Sequence, residues 1–273
     1  MEKPRFSEQL TRPLLASMLM ADNADDSIVC IRKSIYDGAD ILAMHTEYLR
    51  PEYHNHKTLK HIFDYAEDKP VFTMFYRTSF NQHVTEEERV ALQLEAAKAG
   101  ASMVDMMGDI YNPNPMQLAT DQRTIDRQRS MVDAFHKEDC EVMFSSHTWC
   151  FMTAEQTLDH CDQLIRRGAD MVKIAMCAFE EEQMQEVYRT TQLMKKELSV
   201  PFQHVCMGQY GKIHRMIAPL FGSMMVFCMQ NYIPVANKEQ PLLRAAKYVY
   251  DNLDLRPARN DKIGAYVVLP EDE

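Results

Sequence analysis

Eight short apolar runs, separated by longer amphipathic stretches, restrict the folds open to this chain more than any other feature. The runs are R-P-L-L-A-S-M-L (12–19), A-D-I-L-A-M-H (39–45), P-V-F-T-M-F-Y (70–76), S-M-V-D-M-M-G (102–108), E-V-M-F-S-S-H (141–147), M-V-K-I-A-M (171–176), F-Q-H-V-C-M (202–207) and S-M-M-V-F-C-M (223–229). Helix-like segments alternate with them at about 25–38, 52–67, 85–100, 120–139, 153–168, 179–198, 211–222 and 240–253. Near-continuous apolar strands are what a parallel sheet buried on both faces requires. Capping boxes are readable at Thr85 with Glu88 and at Thr153 with Gln156. Gly38, Gly100 and Gly168 each stand where a helix must close before the next strand. Eight βα units with no Pro/Gly/Ser-rich linker predict one domain over 1–273, an α/β fold of the (β/α)8 TIM-barrel type. A doubly wound open sheet is the alternative, and it is weakened because no Gly-rich phosphate loop follows any strand.

Bulk properties narrow the function. A net charge of −10 over 273 residues argues against nucleic acid or an anionic membrane as the main partner. The opening M-E-K-P-R-F-S-E-Q-L lacks the apolar core of a signal peptide, and the stretch from Pro13 to Ala21 is far too short to span a bilayer. Seven cysteines without a C-x-x-C pair do not suggest a disulfide framework. A reduced, cytoplasmic protein of enzyme size is expected. The 21 methionines, many inside strand-like runs, read as flexible core filler.

Active sites of such barrels form at the C-terminal ends of the strands. The polar residues collected there are His45, Arg77, His147, Lys173 and the loop Gly208-Gln209-Tyr210-Gly211. Lysine is almost never fully buried without compensation, yet Lys173 sits in the middle of an apolar strand. Its tip could snorkel to solvent or find a carboxylate. It could instead be an amine kept neutral by burial so that it attacks a carbonyl. His147 ends the preceding strand, and adjacent parallel strands lie about 4.8 Å apart, so the two side chains can meet if both face inward. Lysine with histidine is a minimal kit for Schiff-base elimination or aldol cleavage.

With these residues in view, the chain resembles type I 3-dehydroquinate dehydratase, a Schiff-base lyase of the shikimate pathway. Three pieces carry the resemblance: V-M-F-S-S-H ending at His147, A-D-M-V-K-I-A-M containing Lys173, and M-G-Q-Y-G-K-I-H-R-M-I-A-P-L-F-G-S over 207–223. It implies Lys173 as the Schiff-base residue and His147 as the catalytic histidine. Arg215 is then the residue for the substrate carboxylate, Arg77 a second pocket arginine, and Met207 and Ser223 further matched positions. The family also implies a homodimer acting on a small carboxylate substrate; no cofactor or metal is expected.

The departures fall in the acidic shell. The strand-two E-x-R pair is here Ala43-Met44-His45, and the glutamate that supports the histidine is Asn81. The strand-four D-x-E reads Asp105-Met106-Met107, and the residues flanking the histidine are Ser146 and Thr148. His45 and Asn81, each at one of these changed positions, are expected among the substrate-binding residues. Asp105, Asp109 and Glu47 are the acids available to support His147. The loss of buried carboxylates predicts a roomier, more apolar pocket suited to fewer hydroxyls or a different ring, whether by dehydration or by aldol chemistry. Two other readings compete. A metal-dependent hydrolase would draw on His45, His147 and His204, but no strand carries an H-x-H pair; the H-N-H at 54–56 lies in a polar helix-like stretch. The other is a catalytically silent barrel that keeps only the anion site.

Overall fold

The computed structural model describes residues 13–232 and 239–253. The opening segment, Arg12 of the first predicted strand and residues 254–273 lie outside them. Among the described residues the chain alternates strand and helix as β1 (Leu14–Leu19), α1 (Ala24–Tyr36), β2 (Ile41–His45), α2 (His56–Phe63), β3 (Val71–Met74), α3 (Glu86–Ala99), β4 (Met103–Met107) and α4 (Gln122–His136). It continues with β5 (Glu141–His147), α5 (Ala154–Ile165), β6 (Met171–Cys177), α6 (Glu181–Glu197), β7 (Phe202–Met207), α7 (Gly211–Ile217), β8 (Met225–Met229) and α8 (Leu243–Asp251). From β1 to β7 each strand pairs parallel with the next, and β8 returns to pair with β1. The remaining gap is bridged at its N-terminal end, where Met224 N donates to the Phe202 carbonyl at 2.8 Å. This is the (β/α)8 barrel that the alternation predicts.

Local signals explain the joints. Both capping boxes form, with the Thr85 and Thr153 hydroxyls on the third helical amide and Glu88 and Gln156 reaching back. Gly38, Gly100 and Gly168 have φ of 87°, 120° and 95°, the left-handed region that a side chain would strain. Two predicted helices are shorter than expected. The segment 52–67 begins as a 3-10 turn at Pro51–Tyr53, and the helix proper starts only after Asn55 caps it. The segment 211–222 changes at Ala218–Phe221 to a 3-10 turn that carries Pro219; proline lacks the N–H a continuing α-helix would use.

Strand parity sorts the core into two layers. Leu15, Leu42, Val104, Phe144, Val172 and Cys206 face the helices. Leu14, Ala16, Ile41, Phe72 and Phe227 fill the barrel with a group of methionines that includes Met18, Met74, Met103, Met143 and Met171. Unbranched methionine adapts to the taper of a barrel interior, which accounts for much of its abundance here. His204 belongs to the outer layer. Its ring contacts Thr191 and Met176 beneath the helices, away from the barrel lumen.

Candidate active site

At the C-terminal ends of the strands a cavity of about 400 Å³ opens. Six predicted residues line it: Lys173, His147, Arg215, Arg77, His45 and Met207. They come from the ends of five strands, β2, β3, β5, β6 and β7, and from α7, brought together around the barrel.

Lys173 lies one register step across from Ser145 on β5 and Gln203 on β7, with its side chain directed into the barrel. Its ammonium donates to the Tyr76 hydroxyl at 2.6 Å and lies 3.4 Å from Asp105 Oδ2. It also sits over the rings of Tyr76 and Phe227, at 4.9 and 5.2 Å from their centroids. The Tyr76 and Ser145 hydroxyls both donate to Asp105. The lysine has thus found a carboxylate, but at a distance beyond the roughly 2.7–2.9 Å of a strong charge-assisted bond. Burial lowers the Lys173 pKa below its ordinary value, and the nearby Asp105 only partly opposes this. The shift favours the free, nucleophilic amine over what an exposed lysine would offer.

His147 ends β5 with its ring edge-on to Tyr76, centroids 5.1 Å apart. Its Nδ1 lies 3.1 Å from Gln117 Oε1, which also accepts from the His147 main-chain N–H at 2.7 Å. Burial, then the charges of Lys173, Arg215 and His45, push its pKa well below the usual histidine value. The acids expected to support it are each engaged elsewhere: Asp105 with Tyr76 and Ser145, Asp109 with Arg77, and Glu47 with His45. A neutral glutamine amide holds this imidazole instead.

Arg215 lies at the cavity edge with Nη2 3.3 Å from Glu239 Oε2, and its Nε has no partner among the described residues. Burial lowers its pKa, and Glu239 works against that shift. Arg77 lines the wall, but its guanidinium is committed to protein. It donates to Glu86 at 3.0 and 2.5 Å and to Asp109 Oδ1 at 2.7 Å. It ties the end of β3 to α3 and to Asp109 while lining the cavity. The Asp109 side chain is only 1% exposed, so Arg77→Met leaves a buried carboxylate without its cation. Breaking such a pair typically costs about 3–5 kcal/mol, and the lower end is expected here because the guanidinium is partly exposed. A fall in the urea midpoint reports it; an unchanged midpoint would contradict the arrangement.

Two expected contact residues lie outside the cavity. Asn81 folds the loop after β3: its amide donates to the Tyr76 carbonyl at 2.9 Å and accepts from Thr78 N and Arg89 Nη2. These contacts commit it to shaping its own loop. Ser223 lies at the opposite end of the barrel, where its hydroxyl accepts from His204 N at 3.2 Å. A separate cavity of about 410 Å³ opens there, and Lys195 is the only charged residue among its described lining.

Tyr76, Gln117 and Gln240 also line the active cavity and were not singled out from the sequence. Tyr76 was within reach of it, since Phe72, Met74 and Tyr76 share one parity. Gln117 had no such signal, for it sits in the long β4–α4 loop at φ 48°. Among the described residues no three His, Cys, Asp or Glu side chains converge as a metal site requires, and no helix is long and apolar enough to cross a membrane.

Comparison with known proteins follows the same direction. The family model of type I 3-dehydroquinase matches residues 15–256. The 3-dehydroquinate dehydratase of Alkaliphilus oremlandii is 30% identical over 104 residues, covering 37% of this chain and 41% of that protein. That of Desulfotalea psychrophila is 24% identical over 144 residues, 53% of this chain and 58% of the relative. The chain thus spans about half the length of the curated relatives it matches. In fold, it is similar to the crystal structure of 3-dehydroquinate dehydratase from Geobacillus kaustophilus. That likeness has a TM-score of 0.73 at 17% identity over 88% of this chain and 91% of the other.

Proposed function

The chain belongs to the type I 3-dehydroquinase family, and from that premise we propose that it is a Schiff-base-forming dehydratase acting on a cyclic keto acid, with 3-dehydroquinate the first candidate. The observation that carries this reading is the amine of Lys173, desolvated inside a cavity that also holds a neutral imidazole and a guanidinium. Lys173 Nζ adds to the ketone, and water leaves to give an iminium. The positive nitrogen withdraws electrons from the adjacent carbon, whose proton His147 removes to form an enamine. Return of that electron pair expels the hydroxyl one carbon further on, and hydrolysis frees Lys173. For 3-dehydroquinate the product is 3-dehydroshikimate. A direct assay for that product, with borohydride capture of the adduct on Lys173, tests the reading. A protein that forms neither product nor adduct would overturn it.

Met18, Met20, Met107, Val205, Met207 and Phe227 give the cavity a strongly apolar wall. Met107 stands where the family pattern has an acid. This favours, as a second reading, a related keto acid with fewer hydroxyls, which the same capture experiment resolves by substrate panel. Shared scaffold does not fix substrate.

Arg215 is assigned to the substrate carboxylate, since a guanidinium suits bidentate anion recognition. Arg215→Met should raise KM by about 10–100-fold, the equivalent of a lost hydrogen bond to a charged group. The fold, followed by circular dichroism, should be retained. An unchanged KM would reject the assignment.

A further inference from the structure

His45 and Glu47 make a couple that the mechanism above leaves unused. His45 ends β2, and Glu47 lies in the 3-10 turn Thr46–Tyr48 that follows it. The His45 Nδ1 and Glu47 Oε1 are 2.7 Å apart, and the two side chains are 9% and 2% exposed. Both line the cavity. Neither His45 Nε2 nor Glu47 Oε2 has a hydrogen-bond partner among the described residues. A buried polar atom left unpaired is unfavourable, so a partner is expected to come from a ligand. The His45 ring stands edge-on to Tyr76 at 5.7 Å, and His147 meets the same phenol ring at 5.1 Å. Lys173 touches the Tyr76 hydroxyl. Two imidazoles thus flank the phenol ring whose hydroxyl meets the reactive amine, and only His45 is hydrogen-bonded to a carboxylate, which orients its ring.

We propose that His45, oriented by Glu47, is the acid that protonates the departing hydroxyl, while His147 acts as the base on the carbon. The proposal rests on the Schiff-base reading and divides its proton transfers. His147 takes the proton from the carbon beside the iminium; the C–H pair becomes a C=C bond and the iminium pair retires to nitrogen. The enamine pair then returns, the C–O bond breaks with its electrons on oxygen, and His45 Nε2–H supplies the proton, so water departs. His45 is left neutral with Nδ1–H on Glu47. His147 has gained one proton and His45 has lost one, and exchange with solvent after product release restores both.

The alternative is that the couple only pins the turn after β2. The test compares wild type, His45→Gln and Glu47→Gln with 3-dehydroquinate and with its analogue bearing fluorine in place of the departing hydroxyl. Fluoride leaves without a proton. His45→Gln should lower kcat on the hydroxyl substrate by about 10²–10⁴-fold, the usual contribution of a positioned acid, with little change in KM. Borohydride capture should persist, and the fluoro substrate should restore turnover to near the wild-type rate. Glu47→Gln should show the same pattern at smaller amplitude. An unchanged kcat, or an equal loss on both substrates, would overturn the assignment. Absence of capture in the wild type would overturn the underlying Schiff-base reading, and the proposal with it, before any variant is compared.

Discussion

A Lys173→Ala protein is expected to show no measurable turnover and to give no borohydride adduct. The two losses should come together, because one nitrogen both carries the substrate and draws electrons from it. The fold should survive the change. Asp105, the nearest charge to Lys173, keeps the hydroxyls of Tyr76 and Ser145 as donors when the amine is gone. The variant therefore removes the amine while Asp105 keeps two hydrogen-bond donors. In the wild-type protein only the free amine can add to a ketone, and burial lowers the pKa of Lys173 from its model-peptide value of 10.5. The capture rate should accordingly rise with pH through that lowered value. It should level off before the ordinary lysine range is reached. Adduct at another lysine, or turnover persisting in Lys173→Ala, would return the buried amine to a purely structural role.

The apolar run of β6 marked Lys173 as an unusual residue for a strand, and the family-like segment around it suggested a chemistry to test, while its inward facing came only with the barrel register. What the pattern could not supply was the partner of each charge. Glu47, Asp105 and Asp109 were all plausible supports for His147, since each lies near a strand end. In the fold Asp105 faces the barrel from β4, and the register brings it to Tyr76 and Ser145. Asp109 turns out of the strand to meet Arg77, while Glu47 reaches back two residues to His45. Such pairings depend on the path of each loop after its strand ends, and periodicity carries no information about that path. The same limit explains Asn81 and Ser223. Asn81 matched a position at the top of β3 but is consumed in shaping its own loop. Ser223 precedes β8 and so lies at the bottom of the barrel, although its spacing from Arg215 fits the family segment.

His147→Ala should leave the borohydride adduct intact while slowing turnover by about 10²–10⁴-fold, the range expected for loss of a positioned proton-transfer group. The separation of the two readouts follows from geometry. Lys173 meets Tyr76 and Asp105, not His147, so the imidazole can be removed without disturbing the amine. Gln117 accepts the His147 Nδ1–H, which leaves Nε2 as the basic nitrogen. The glutamine amide cannot neutralise an imidazolium as a carboxylate would, and burial, reinforced by nearby Lys173, Arg215 and His45, pushes the pKa of His147 well below 6.5. Two consequences have a definite sign. The imidazole stays unprotonated well into the acidic range, so the acidic fall-off in kcat/KM should track Lys173 rather than His147. The base is also intrinsically weak, so Gln117→Glu should raise the pKa of His147 and move an acidic limb toward neutrality. If His147→Ala kept more than a small fraction of wild-type turnover, proton removal would belong to another group, and His45 with Glu47 is the couple placed to take it.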